Sequence, residues 1–126
     1  MMKKYELGNL KVNSMRHEIV ADGKYNREKH IIRVSNGKIN KYFTYTTEVV
    51  EYINRENLLK NALWCIYMDY IAYENHPSLE EVVDEYGYNY KDARRVFNSL
   101  KKSHERFAEL LEDDTLELLE EVYQDY

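Results

Sequence analysis

Apolar and polar positions alternate in steps of two over the first third of the chain and recur in steps of three and four afterwards. That change of period separates a strand-forming part from a helix-forming part. Val12, Met15, His17, Ile19 and Val20 lead to a turn at Gly23, and Lys29 to Ser35 alternates around Ile31, Ile32 and Val34. Asn36 and Gly37 follow. Because both residues tolerate positive φ, the pair predicts a hairpin closed by a type I′ turn. Lys38 to Tyr45 is then the returning strand, its Tyr42, Phe43 and Tyr45 set among threonines in the manner of a half-buried pleated surface. Two or three antiparallel strands are predicted.

From Thr46 the helical period takes over. Thr47 to Ile53 reads as a short turn of helix, and Asn54 as the cap of a longer helix running through Glu74. Leu58, Leu59, Ala62, Leu63, Cys65, Ile66 and Ile71 supply its apolar side, while Trp64, Tyr67, Met68, Tyr70 and Tyr73 make it apolar almost all round, as in a central core helix. Asp69 falls within that apolar band, so it is expected to be buried and satisfied by a partner. Asn75, His76 and Pro77 break the helix.

The next segment, Ser78 to Leu100, contains two helix starts and one glycine stop. Ser78 with Glu81 forms a capping-box pattern, Gly87 suits the left-handed residue that ends a helix, and Asn89 with Asp92 starts another. A helix-turn-helix-like hairpin is predicted, acidic in its first helix and basic in its second. Ala93, Val96, Phe97, Leu100, His104, Phe107 and Leu111 continue the second helix to about 20 residues. Asp113 and Asp114 restart the chain, with Glu117 placed to complete a second capping box, and Leu116, Leu119, Val122 and Tyr123 form the inward stripe of a final helix. The expectation is a single α+β domain over 1–126, with strands over about 9–45 and four helices over about 54–126.

Charge adds an asymmetry to this outline. Residues 1–50 carry net +5, residues 51–104 net −2 and residues 105–126 net −8, so the overall −5 comes from one end. Thirteen tyrosines supply rings with a polar tip, suited to half-buried surfaces and contact patches. The lone Cys65 excludes an internal disulfide and a cysteine-based zinc set, and fits a reducing setting. No stretch approaches the roughly 20 apolar residues of a membrane span. A soluble, cytoplasmic protein without a membrane partner is expected.

Catalysis finds little support in the residues. His17, His30, His76 and His104 fall in different elements and form no local ligand pair, so no metal is expected. The four glycines are not clustered into a phosphate loop, and Cys65 in its apolar run reads as a core residue. The expectation is a protein without enzymatic activity or cofactor. For nucleic acid, Tyr90, Lys91, Arg94, Arg95, Asn98, Lys101 and Lys102 are candidate contacts on the second helix of the hairpin. Glu80, Glu81, Asp84, Glu85 and Asp92 stand close by and count against DNA binding, as does the negative net charge.

The run LLKNALWCIYMDYIAYE at 58–74, the segment SLEEVVDEYGYNYKDARRVF at 78–97 and the NGK hairpin at 36–38 together resemble small accessory proteins encoded by phages and mobile elements of Gram-positive bacteria. The resemblance covers roughly residues 28–112, most of the chain, and is one of pattern: Leu79, Val82 and Val83 stand where members often carry phenylalanines and a cysteine. It implies a phage or mobile-element accessory protein. Small acidic proteins of such elements without a catalytic constellation often look like inhibitors of host defence nucleases, anti-CRISPR proteins among them, so the function expected is inhibition of such a nuclease through an acidic and tyrosine-rich surface in the cytoplasm of the bacterial host. The candidate acidic contacts are Glu109, Glu112, Asp113, Asp114, Glu117, Glu120, Glu121 and Asp125, whose carboxylates would replace phosphates in a basic channel. A helix-turn-helix-like DNA-binding regulator is the alternative, and a homodimer through exposed tyrosines stays open.

Overall fold

A computed structural model of the chain describes residues 4–22, 25–48 and 57–124. Four strands come first, β1 (Lys4–Leu7), β2 (Leu10–Asp22), β3 (Tyr25–Ser35) and β4 (Asn40–Glu48), followed by four helices, α1 (Leu58–Asn75), α2 (Leu79–Tyr86), α3 (Tyr90–Ala108) and α4 (Thr115–Tyr123). The strands form one antiparallel meander in the order β1-β2-β3-β4. The α+β class agrees with the sequence pattern, whereas the sheet has four strands instead of two or three. The additional strand is β1. It has only four residues, two of them charged and exposed (Lys4 and Glu6), so it lacks the apolar run that marks a strand in sequence. No helix among the described residues is long and apolar enough to cross a membrane. The helical turn expected over Thr47 to Ile53 does not start there: β4 runs on through Thr46, Thr47 and Glu48, paired with Lys29, Glu28 and Arg27 of β3, so ladder pairing overrides the local helical period. The rest of that turn, the turn at Gly23 and the cap at Asn54 lie outside the described residues.

The chain forms two compact units, one of residues 1–65 with 110–126 and one of residues 66–109. In the first, Leu10, Val12, Ile32, Val34, Leu59, Ala62, Leu63, Leu110 and Leu119 are completely buried. Val12 pairs directly with Val34, and Ile32 with Phe43, so one sheet face supplies apolar rows to the core. Burial of each such side chain stabilises the fold by roughly 1.5–3 kcal/mol. The β3–β4 hairpin stands where Asn36 and Gly37 place it, with a different turn. Gly37 has φ +90°, but among the described residues no non-glycine residue, Asn36 included, has positive φ, which excludes type I′. Instead Asn36 Oδ1 accepts hydrogen bonds from the backbone N–H groups of Lys38 (2.9 Å) and Ile39 (3.0 Å), closing a four-residue loop between the paired Ser35 and Asn40.

At the start of α4 a different side chain does the capping. Asp114 occupies the N-cap position at φ −103° and ψ 1° without a side-chain hydrogen bond, so the expected capping box with Glu117 does not form. Buried Thr115 takes over the polar work: its Oγ1 accepts from the Glu112 N–H (3.1 Å) and donates to Asn9 Oδ1 (3.4 Å). Tyr123 donates from its hydroxyl to the Lys60 carbonyl at 3.1 Å, tying the last turn of α4 to α1.

The second unit follows its local signals closely. Ser78 Oγ accepts from the Glu81 N–H (3.3 Å), Gly87 adopts φ +67° and donates to the Val83 carbonyl (2.8 Å), and Asn89 Oδ1 accepts from the Asp92 N–H (2.9 Å). Each cap satisfies a donor or acceptor that a helix end leaves free. Val82, Ala93, Leu100 and Phe107 are buried. His104 is held from two sides, stacked on Tyr70 with ring centroids 4.6 Å apart and 3° between planes, and close to Tyr73 at 4.6 Å, while its Nε2 lies 2.7 Å from Glu74 Oε1. Burial raises the Tyr70 phenol above its ordinary value, and the nearby Glu74 charge adds to the shift. Asp69 is on the exposed side of α1, not buried as its apolar neighbours imply. The helix turns it outward, yet the dense surroundings still raise its carboxyl above the usual range by desolvation.

Candidate interaction surfaces

The acidic candidates divide among three places. Glu112, Asp113, Asp114, Glu117, Glu120 and Glu121 line one open groove of about 1260 Å³ in the first unit, together with Gly8, Asn9, Lys38 and Gln124. Glu109 belongs to the second unit, where it is the C-cap residue of α3, and Asp125 lies outside the described residues. The groove results from local geometry. The β1–β2 turn brings Gly8 against α4, and the loop after α3 carries three acids in a row before Thr115 starts the helix. Along α4, Glu117, Glu120 and Glu121 are separated by three and four residues and therefore share a face.

All six carboxylates of the groove are exposed, and their charges are poorly balanced. Lys38 Nζ lies 3.7 Å from Glu112 Oε1, an exposed pair of small energetic value. Among the described residues, Asp113, Asp114, Glu117, Glu120 and Glu121 form no ion pair. The groove thus gathers like charge along one wall and carries a negative potential.

The basic candidates occupy the second unit. Tyr90, Lys91, Arg94, Arg95, Asn98, Lys101 and Lys102 are all exposed on α3, and the cationic ones fall within an arc of about 120° at 3.6 residues per turn. Arg95 lies 3.9 Å from Asp92 Oδ1, whereas Lys91, Arg94, Lys101 and Lys102 form no ion pair among the described residues. Exposed Tyr86 and Tyr88 stack at 5.9 Å just before this helix, with Tyr90 59% exposed beside them in sequence. The stripe is bounded by Glu105 and Glu109, which fall on the same arc one and two turns later. The acids of α2, Glu80, Glu81, Asp84 and Glu85, are likewise exposed.

Sequence spacing missed a third group. His17 of β2 and His30 of β3 are direct cross-strand partners, and Glu28 lies two residues from His30 on the same face. The signal available in the sequence was Glu-x-His on one strand and a histidine across the hairpin. Reading it required the register. Cys65 is half-buried. Comparison with protein families, with curated proteins and with solved structures finds no match to this chain.

Proposed function

We propose that the protein is a non-enzymatic accessory protein of a phage or mobile element that inhibits a host defence nuclease of the CRISPR type by occupying its basic, nucleic-acid-binding channel. The observation that carries this reading is the groove of six exposed carboxylates whose charge, among the described residues, is offset by Lys38 alone. Nucleic acid presents rows of anionic oxygens to the Lys and Arg side chains of such a channel, and a row of carboxylates offers the same partners charge-assisted hydrogen bonds. Electrostatic complementarity of this kind accelerates encounter and fixes orientation, and weakens as salt is raised. The test is co-purification of the protein with a nuclease–guide complex from a CRISPR-bearing Gram-positive host, combined with plaque counts in cells expressing it. Retention of the complex and rescued plaque formation support the reading. No recovered nuclease and unchanged plaque counts overturn it.

A second reading rests on the exposed stripe of α3. A helix-turn-helix-like regulator would place Arg94 and Arg95 against bases or phosphates, with Lys91, Lys101 and Lys102 on the backbone. It predicts salt-dependent retardation of the element's own promoter DNA, weakened by Arg94→Ala and Arg95→Ala. Absence of retardation at low salt removes it.

A further inference from the structure

The inner face of the β2–β3 ladder carries a group of side chains whose chemistry is unlike that of the apolar rows beside it. His17 stands directly opposite His30, and Glu28 occupies the next inward position of β3. Their meeting depends on an irregularity in β2. Up to Ser14, which pairs with Ile32, the even-numbered residues of β2 face inward with Leu10 and Val12. The register then shifts, and Arg16 pairs with Ile31, so Met15 is the extra residue of a bulge. Beyond it the odd-numbered residues His17 and Ile19 share the sheet face of His30 and Glu28, with His17 and Ile19 themselves exposed. Without the bulge Arg16 would oppose His30 and His17 would point to the other face.

The geometry is that of a ligand set. His17 Nε2 lies 3.6 Å from Glu28 Oε1, and His30 Nε2 lies 3.6 Å from Glu28 Oε2. One ligand atom from each of the three residues falls within 4.8 Å of the others. Four-coordinate zinc with metal–nitrogen distances of 2.0–2.1 Å separates its ligands by about 3.3 Å, so the carboxylate is already close to the required spacing from both imidazoles. The side chains of Glu28 and His30 are only 4% and 5% exposed, whereas that of His17 is 41% exposed. The pair from β3 is sunk in the protein and the third ligand opens to solvent.

We infer that His17, Glu28 and His30 form a binding site for a divalent transition-metal ion of the zinc type. Two neutral imidazoles with one carboxylate select such an ion over magnesium or calcium, which take oxygen ligands. All three ligands come from two hydrogen-bonded strands, which fixes their backbone positions before any ion arrives. The imidazole rings stack with centroids 4.7 Å apart and 21° between planes. Binding turns each ring about χ2, a torsion with a broad minimum, until its lone pair meets the shared ion. Three protein ligands leave a fourth position on the His17 side for water or for a side chain of another molecule.

The test is a titration of the full chain with cobalt(II), read by its visible absorption bands, followed by competition with zinc(II). One ion per chain is expected, bound in the micromolar range or tighter, displaced by zinc and unaffected by excess magnesium or calcium. His17→Ala removes an exposed side chain and is expected to stay folded by circular dichroism while losing at least about tenfold in affinity. Glu28→Gln keeps the side-chain volume and is expected to lose a similar factor, whereas His76→Gln, in the other unit, should bind as the parent does. Absence of micromolar binding by the parent chain, or a folded His17→Ala protein that binds as tightly as the parent, overturns the site.

Discussion

Gly8 offers a test of how the acidic helix is held in place. It has φ +59°, and a Cβ added there would lie 2.5 Å from Leu118 Cδ2 on α4. Gly87 has a similar φ, +67°, but an added Cβ meets nothing within 4 Å. Placing alanine in the left-handed region costs roughly 1–2 kcal/mol, and both Gly8→Ala and Gly87→Ala should show that loss. Gly8→Ala carries a further term. Carbon atoms at 2.5 Å are at least about 1 Å inside their preferred separation, and overpacking of that kind costs typically about 1–3 kcal/mol. Leu118 is half-buried and is met at the tip of its side chain, so its rotation absorbs part of the clash and the lower half of that range applies. Gly8→Ala is therefore expected to lose about 1–2 kcal/mol more than Gly87→Ala. Urea denaturation followed by circular dichroism measures both, with the slopes compared to confirm that the denatured states match. In a double-mutant cycle, Gly8→Ala combined with Leu118→Ala should be less destabilised than the sum of the two single changes by at least about 0.5 kcal/mol. Equal losses for the two glycine variants, with additive behaviour in the cycle, would refute the close contact between the β1–β2 turn and α4.

Two further outcomes follow from the second unit. His104→Ala removes the ring lying 4.6 Å from both Tyr70 and Tyr73, together with the contact to Glu74. At about 0.5–1.5 kcal/mol for each aromatic pair, a loss of about 1–3 kcal/mol is expected in thermal or urea unfolding, and one below about 0.5 kcal/mol would show the stack to be idle. The raised carboxyl of Asp69 works against the fold when ionised: its neutral form favours folding below the unfolded value near 3.8, and that contribution fades as pH rises through the higher folded value. Asp69→Asn should accordingly gain stability relative to the parent at pH 7 and lose that advantage on acidification, and a gain independent of pH would contradict the assigned cause.

How far these features can be read from the sequence depends on how local their causes are. Ser78, Gly87 and Asn89 act within three or four residues of themselves, and all three caps stand as their residue types imply. At Asp114 an equally local pattern failed because Thr115, buried next to Asn9 from the far end of the chain, satisfied the loop instead. The Asn36-Gly37 pair located the hairpin but not its turn, since the Asn36 side chain itself receives the loop's N–H groups. The sheet hid more. A one-residue bulge at Met15 exchanges the faces of β2 and brings two histidines together that lie thirteen positions apart. Alternation alone cannot report such a shift, because its period is unchanged on either side. The acidic groove was legible as a run of charge, although its membership was not: Glu109 fell to the other unit, while Gly8 and Lys38 joined from the sheet.

The most direct measurement is displacement of labelled target DNA from a CRISPR nuclease–guide complex, followed by fluorescence anisotropy as the protein is added. Displacement by the parent chain is expected, at least about tenfold weaker for the folded triple variant Glu117→Gln, Glu120→Gln and Glu121→Gln, and weaker for both at higher salt. Failure of the parent chain to displace DNA, or equal potency of the triple variant, would contradict the proposed inhibition.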